Sequence, residues 1–369
     1  MWICPEMKSN WEKVKIVENR EYALGALVEP LCSWYEKNKR SMPWREDASP
    51  YHVWLSEIML QQTRIEAAWA YYERFIGRLP DVRALAEVSE EELLKLWEGL
   101  GYYNRARNLQ KAARLVMERY DGKLPADYDL LLTLPGIGNY TAGAIASIAY
   151  GIPAPAVDGN VLRVAMRYLN CEDDIMKMPV RRKMEQAVME VIPSRCPGEF
   201  NQALMELGEV ICIPNGRPLC EKCPLQELCE GHKAGREMEL PKKTEKKERR
   251  VEKKTILVFR QGDSVGIRKR PDSGLLAGMW EFPALEGHQT LPQMKQWLAE
   301  HNLQEAGVKR LRGGKHIFSH VEWNMKGYEI VLPEGQTQDV VSGLLWCGWQ
   351  ELEKKYPIPV AFHIFLHQI

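Results

Sequence analysis

The chain contains no run of about 18 apolar residues, so no membrane span is expected. Its opening residues, MWICPEMKSNWEKVK, lack the apolar segment and small-residue cleavage site of a secretory leader, which predicts a cytoplasmic, intracellular protein. Met1 and Met7 are alternative candidate starts. No charge of one sign dominates: Lys plus Arg and Asp plus Glu each number 50, so no global basic excess announces a nucleic-acid partner. Any such footprint has to be local. A disulfide framework is also missing. Of nine cysteines, Cys4, Cys32, Cys171, Cys196 and Cys347 are scattered and read as small apolar residues.

At 369 residues, two domains are expected, each with its own core. Residues 20–125 read as successive amphipathic helices, and 49–75 reads as helical throughout. The run KKTEKKERRVEKK (242–254) holds eight basic and three acidic residues without apolar periodicity, the composition of a solvated connector. Beyond it the pattern turns to strands, with two β runs about Gly262-Asp263, a second pair in HIFSHVEWNMKGYEIVL, and a helix near 292–304. The fold class is therefore a mostly α N-terminal part followed by an α+β C-terminal domain.

The stretch Leu134–Asn160, LPGIGNYTAGAIASIAYGIPAPAVDGN, organises the helical part. Gly136 and Gly138 sit in a turn that leaves backbone N–H groups free for a close-approaching phosphate, and the loop that follows delivers Asp158. The same pattern serves an ordinary helix corner with an aspartate cap.

Glu57 is the second point of interest. On a helix its neighbours are Val53, Trp54, Leu60 and Gln61, a largely apolar stripe on which a carboxyl group holds its proton to unusually high pH and suits a general acid. A glutamate at the stripe's edge, reaching solvent, has the same spacing. Arg40, Trp44 and Arg45 precede it in a Pro-containing turn and offer planes that stack on a base. Gln61, Gln62 and Thr63 follow about one turn later. The turn Gly-Leu-Gly-Tyr-Tyr, with Leu100 and Tyr102 as candidate wedges, leads into a helix carrying Arg105, Arg107 and Lys111, a pattern consistent with phosphate binding and equally with a packed corner.

Cys212, Cys220, Cys223 and Cys229 are spaced C-x7-C-x2-C-x5-C. Four thiols on so short a loop converge on a metal or cluster. One close pair flanked by single cysteines fits an iron–sulfur cluster better than zinc, which favours two close pairs.

Together MPWR, WLSEIMLQQTR, GLGYYNRARNL, LPGIGNYTAGAI, VDGNVLRV, FNQALMELG and the four cysteines resemble the adenine DNA glycosylases of the MutY type, over nearly the whole chain from about residue 20. The resemblance implies a helix-hairpin-helix, endonuclease III-like fold. Residues 1–20 would be an N-terminal extension and 21–233 a helical catalytic region, with a six-helix barrel at about 46–155 and a cluster domain from 21–45 plus 156–233. A basic linker would span 234–254 and a Nudix-like domain recognising 8-oxoguanine 255–369. It implies a [4Fe–4S] cofactor on the four cysteines, a monomer, and duplex DNA carrying adenine opposite 8-oxoguanine or guanine as partner. The implied reaction is base-excision repair by base flipping, leaving an abasic site.

In that picture Glu57 is the general acid and Asp158 stabilises the sugar cation, electrostatically or through a covalent intermediate. Asn160 holds the reacting sugar and Asp158; Arg40, Trp44, Arg45 and Gln202 line the adenine pocket. Gln62, Tyr102 and Leu100 fill or wedge the stack with Thr63 close by, and Phe318, Ser319 and His320 probe 8-oxoguanine. Strand-cutting relatives carry a lysine after the hairpin. Here that position is Tyr140, which has no amine nucleophile, so a monofunctional enzyme is expected. The first cysteine gap is one residue longer than the family's, and the C-terminal domain lacks a Nudix box, which makes it a reader and not a second enzyme. Two other readings remain at this stage: a non-catalytic lesion-binding protein, and a mismatch glycosylase for another base such as thymine opposite guanine.

Overall fold

The computed structural model describes residues 22–244, 248–333 and 343–369. The expected N-terminal extension 1–20, with Cys4 and both candidate starts, lies outside the described residues. The chain packs as two compact units: one takes in the described residues within Met1–Ala68, Leu79–Ala86 and Asn108–Glu245, the other those within Trp69–Arg78, Glu87–Arg107 and Lys246–Ile369.

The first unit is helical. One core draws Val28, Leu31 and Tyr35 of helix Val28–Asn38, Val161, Leu162 and Ala165 of helix Gly159–Tyr168, and Phe200, Leu204 and Leu207 of helix Pro197–Val210 into a single apolar cluster. The helix expected across 49–75 is instead two, Pro50–Leu60 and Ile65–Arg78. The break falls where Gln62 takes a left-handed conformation, φ 60°. A non-glycine residue there costs roughly 1–3 kcal/mol. The preceding Gln61 side chain donates to Thr141 Oγ1 at 3.3 Å, and the Thr63 N–H closes on the Leu60 carbonyl at 3.2 Å.

Helix Tyr128–Leu132 is capped by Asp127, whose carboxylate accepts the Leu130 N–H at 2.8 Å. The hairpin then turns at Gly136, where φ is 79° and a Cβ would stand 2.8 Å from that of Asn108. Glycine is required there on both counts. Helix Asn139–Ala144 follows and widens into a π turn over Ile145–Ala149. Its small residues let the chain press close. A Cβ on Gly143 would lie 2.0 Å from the Pro155 carbonyl oxygen, and one on Gly198 2.7 Å from that of Ser147.

Among its described residues, the second unit is built on a seven-stranded sheet. Its long strand Arg250–Gln261 runs parallel to Val321–Val331 and antiparallel to Ser264–Lys269. Alternation along the long strand separates two cores. Ile256 and Val258 face Phe362 and Phe365 on one side, while Leu257 and Phe259 face Met294 and Leu298 of helix Leu291–Glu300 on the other. Arg250–Lys254, expected in the linker, already belong to this strand because they pair in register with Val321–Met325.

Residues 69–78 and 87–107 pack in the same unit. There the Trp280 indole donates to Glu91 at 2.8 Å and the Ile358 N–H to Glu98 at 3.1 Å. No helix among the described residues is long and apolar enough to cross a membrane.

Candidate active site

A cleft of about 710 Å³ opens in the helical unit. Glu57 from helix Pro50–Leu60, Tyr140 from the helix after the hairpin, and Asp158 and Asn160 from the start of helix Gly159–Tyr168 all line it, as do Trp44, Arg45, Gln62, Gly138 and Gln202.

Glu57 is only 8% exposed, and its carboxylate accepts a short hydrogen bond from the Tyr140 hydroxyl. Burial raises its pKa to about 7, and the nearby Asp158 adds to the rise, against the Tyr140 bond and the Arg45 charge. Glu57 is thus a carboxyl group that still carries a proton near neutrality. Burial and the two carboxylates push the Tyr140 phenol well above its ordinary value, which keeps it a neutral donor.

Asp158 is the N-cap of its helix. Oδ1 accepts the backbone N–H groups of Asn160 and Val161, both at 2.8 Å, and Oδ2 accepts the Asn160 side-chain amide at 2.8 Å. Burial raises its pKa, while these donors and the Arg163 charge pull the other way. A carboxylate at a helix N-terminus also gains from the helix dipole. The Asn160 carbonyl oxygen in turn accepts Arg163 Nη2 at 2.8 Å, which orients the amide. Arg163 also donates to the backbone carbonyls of Gly208 and Cys212, each at 2.7 Å.

The second wall of the cleft is ionic. Glu206, which the sequence reading missed, is buried and receives Arg40 Nε at 2.5 Å and Arg45 Nη2 at 2.8 Å. Burial alone would raise its pKa, but the two guanidinium groups outweigh it and hold the carboxylate below its ordinary value. Arg45 Nε donates to Gln202 Oε1 at 3.0 Å. Arg40, expected to line the pocket, stands behind it and clamps Glu206 and Glu209. The sequence signal of Glu206 was an acidic residue four places after Gln202 on a helix whose Phe200, Ala203 and Leu207 are apolar. Asn201 was also missed. Fully buried, it donates to Ser147 Oγ and the Ala154 carbonyl and accepts the Ala156 N–H, fastening the loop that delivers Asp158.

Thr63 closes the turn after Leu60, and Gly136 packs on helix Asn104–Tyr120. Leu100, Tyr102, Phe318, Ser319 and His320 belong to the second unit. Leu100, expected as a wedge, is buried, whereas Tyr102 is 47% exposed with φ 48°. Arg105, read as a phosphate contact, turns inward. It donates to the Leu100 and Gly101 carbonyls at 3.0 and 3.2 Å and lies over the Trp97 and Tyr102 rings. Phe318 packs edge-on between His316 and Trp323, leaving Ser319 and His320 exposed.

Cys212, Cys220, Cys223 and Cys229 line one small cavity of about 30 Å³ together with Arg167, Gln226, His232 and Glu237. Arg167 Nη1 lies 3.3 Å from Cys212 Sγ. Convergent thiols beside a guanidinium fit a thiolate-bound cluster.

Comparison with known proteins supplies the family. Residues 55–191 match the HhH-GPD superfamily base excision DNA repair proteins, and residues 255–368 match the NUDIX domain. A thermostable thymine-DNA glycosylase of known structure is 28% identical, with a TM-score of 0.52, covering 57% of this chain and 96% of its own. Fold and site thus define a helix-hairpin-helix base-excision DNA glycosylase with a Nudix-like C-terminal domain, the fold class expected. The adenine DNA glycosylase of Mus musculus is 35% identical over 381 residues, covering 87% of this chain and 73% of the relative. That of Homo sapiens is 34% identical over 385 residues, covering 87% and 70%. The chain belongs to the adenine DNA glycosylase family.

Proposed function

We propose that this chain hydrolyses the N-glycosidic bond of adenine mispaired with 8-oxoguanine, or with guanine, in duplex DNA. The observation that carries the reading is the pair Glu57 and Asp158 on one cleft in unlike environments: the first protonated near neutrality, the second held by three donors. Two carboxyl groups whose surroundings set them to different tasks divide acid catalysis from cation stabilisation. Adenine is a poor leaving group as an anion, so a proton from Glu57 to the flipped base makes it neutral. The positive charge that grows on the sugar falls beside Asp158. Glu57, now ionised, accepts the proton of the attacking water. Tyr140 offers no amine, so the product is an abasic site and an uncut strand.

The family to which the chain belongs typically carries an iron–sulfur cluster, and Cys212, Cys220, Cys223 and Cys229 would hold a [4Fe–4S] group here. Its chemistry when bound is structural: it holds the loop Ile213–Leu219, whose exposed Arg217 contacts DNA phosphate. In the second unit Phe318, Ser319 and His320 read the damaged base opposite adenine, with Tyr102 in the stack. The match of residues 255–368 to a NUDIX domain supports such a reader.

The test is base release from duplexes carrying adenine opposite 8-oxoguanine, adenine opposite guanine, or thymine opposite guanine. Release of adenine, fastest opposite 8-oxoguanine and slowed about 10²–10⁴-fold by Glu57→Gln, is expected. Release of thymine alone supports the mismatch reading, and binding without release a lesion-binding protein.

A further inference from the structure

The cavity that gathers the four cysteines contains more donors than four thiolates. Cys220 Sγ, a ring nitrogen of His232 and a carboxylate oxygen of Glu237 all lie within 4.8 Å of one another. Glu237 is 9% exposed, and among the described residues its buried Oε2 has no hydrogen-bond partner, nor has His232 Nδ1. The other His232 nitrogen, Nε2, sits 3.4 Å from Gln226 Nε2.

A buried carboxylate oxygen with no donor is costly. Beside thiolates the cost rises, because like charges repel. An ordinary structural role would have paired Glu237 with a cation, as its neighbour in sequence, Arg236, pairs with Glu172 and Glu239. Glu237 and His232 instead bring a carboxylate oxygen and an imidazole nitrogen to the cavity that the four cysteines line. Iron accepts carboxylate and imidazole as well as thiolate.

We propose that Glu237 and His232 form a reserve ligand set at the Cys220 corner of the iron–sulfur site, taking over the iron when Cys220 no longer ligates it. The proposal rests on the cluster reading above. In the exchange the iron–sulfur bond to Cys220 breaks with its electron pair on sulfur, and an iron–oxygen bond forms from a Glu237 lone pair. One anionic ligand replaces another, so the cluster's charge and oxidation state are unchanged. The cluster therefore survives modification at Cys220, its corner in the loop of unusual length, and fails when a cysteine without such neighbours is lost.

The experiment compares the full chain with Cys220→Ala, Cys223→Ala, Glu237→Gln and the triple variant Cys220→Ala/Glu237→Gln/His232→Asn. Each is purified without oxygen and read for iron and sulfide per chain, visible absorption and electron paramagnetic resonance after reduction. Cys220→Ala should fold and keep most of the wild-type iron and sulfide, with altered resonance positions that mark an oxygen or nitrogen ligand. Cys223→Ala and the triple variant should lose most of both, and Glu237→Gln alone should match the wild type. The proposal is overturned if Cys220→Ala is insoluble or as iron-poor as Cys223→Ala, or if the triple variant retains as much iron as Cys220→Ala. A wild-type chain that carries zinc and no sulfide would instead remove the cluster reading itself.

Discussion

Asn160 holds both oxygens of Asp158, Oδ1 through its backbone N–H and Oδ2 through its side-chain amide, each at 2.8 Å. One residue therefore sets both the position and the rotation of the carboxylate. Asn160→Ala removes the side-chain bond and keeps the backbone one. Its base release should fall by about 10-fold to 100-fold, less than for Asp158→Asn, where loss of a preorganised charge costs roughly 10²–10³-fold. Single-turnover rates on the adenine duplex check the order; an Asn160→Ala rate equal to wild type would show that backbone donors suffice.

Glu57 must carry a proton to act as acid, and burial sets its pKa at about 7. Above that value the protonated fraction drops about tenfold per pH unit, so the rate should decline on the alkaline side. Glu57→Gln should lose about 10²–10⁴-fold at neutral pH, and the decline should vanish from the residual rate. A pH–rate profile measured under single turnover separates these outcomes.

The Tyr140 hydroxyl bonds the ionised form of Glu57 and so holds its pKa down. Tyr140→Phe removes that donor, while Asp158 and the buried surroundings still raise the pKa and Arg45 still lowers it. The sign is therefore upward: the alkaline limb should move to higher pH. A limb that stays in place or moves down would contradict the assigned contact.

Asn201 satisfies three groups on two segments, and none of them reaches water. Asn201→Leu leaves the Ala156 N–H and the Ala154 carbonyl buried and unpaired, a cost on the order of 3 kcal/mol. Thermal unfolding should show a lowered Tm. Because the loop it fastens ends at Asp158, base release should drop even where the variant is fully folded.

The site divides cleanly by what a linear pattern can carry. Glu57 was legible because a charge on an apolar helical stripe is a local anomaly, and Asp158 because an N-cap follows a small-residue run. The reach of Arg40 to Glu206, 166 residues apart, has no local signature. Asn201 was equally silent, since a buried amide looks like any polar residue until its partners are placed. The break at Gln62 escaped for another reason: helical propensity continues through it, and the tertiary contact of Gln61 with Thr141 overrides propensity. A glycine-rich aromatic turn can present its side chains outward or fold them under itself, and the sequence does not decide which: here Leu100 and Arg105 are turned in while Tyr102 stays exposed.

Gly143 against Pro155 and Gly198 against Ser147 leave the helix after the hairpin no freedom to shift sideways. That helix works as a gauge block: its bare surface fixes how far the Gly136 turn stands from Asp158, as a spacer fixes the gap between two machined faces. An alanine at Gly143 would act as a shim. It would alter the distance between the Gly136 turn and Asp158 and, with it, the seat of Tyr140 on the same helix, so the least substitutable positions of this chain include some that do not line the cleft.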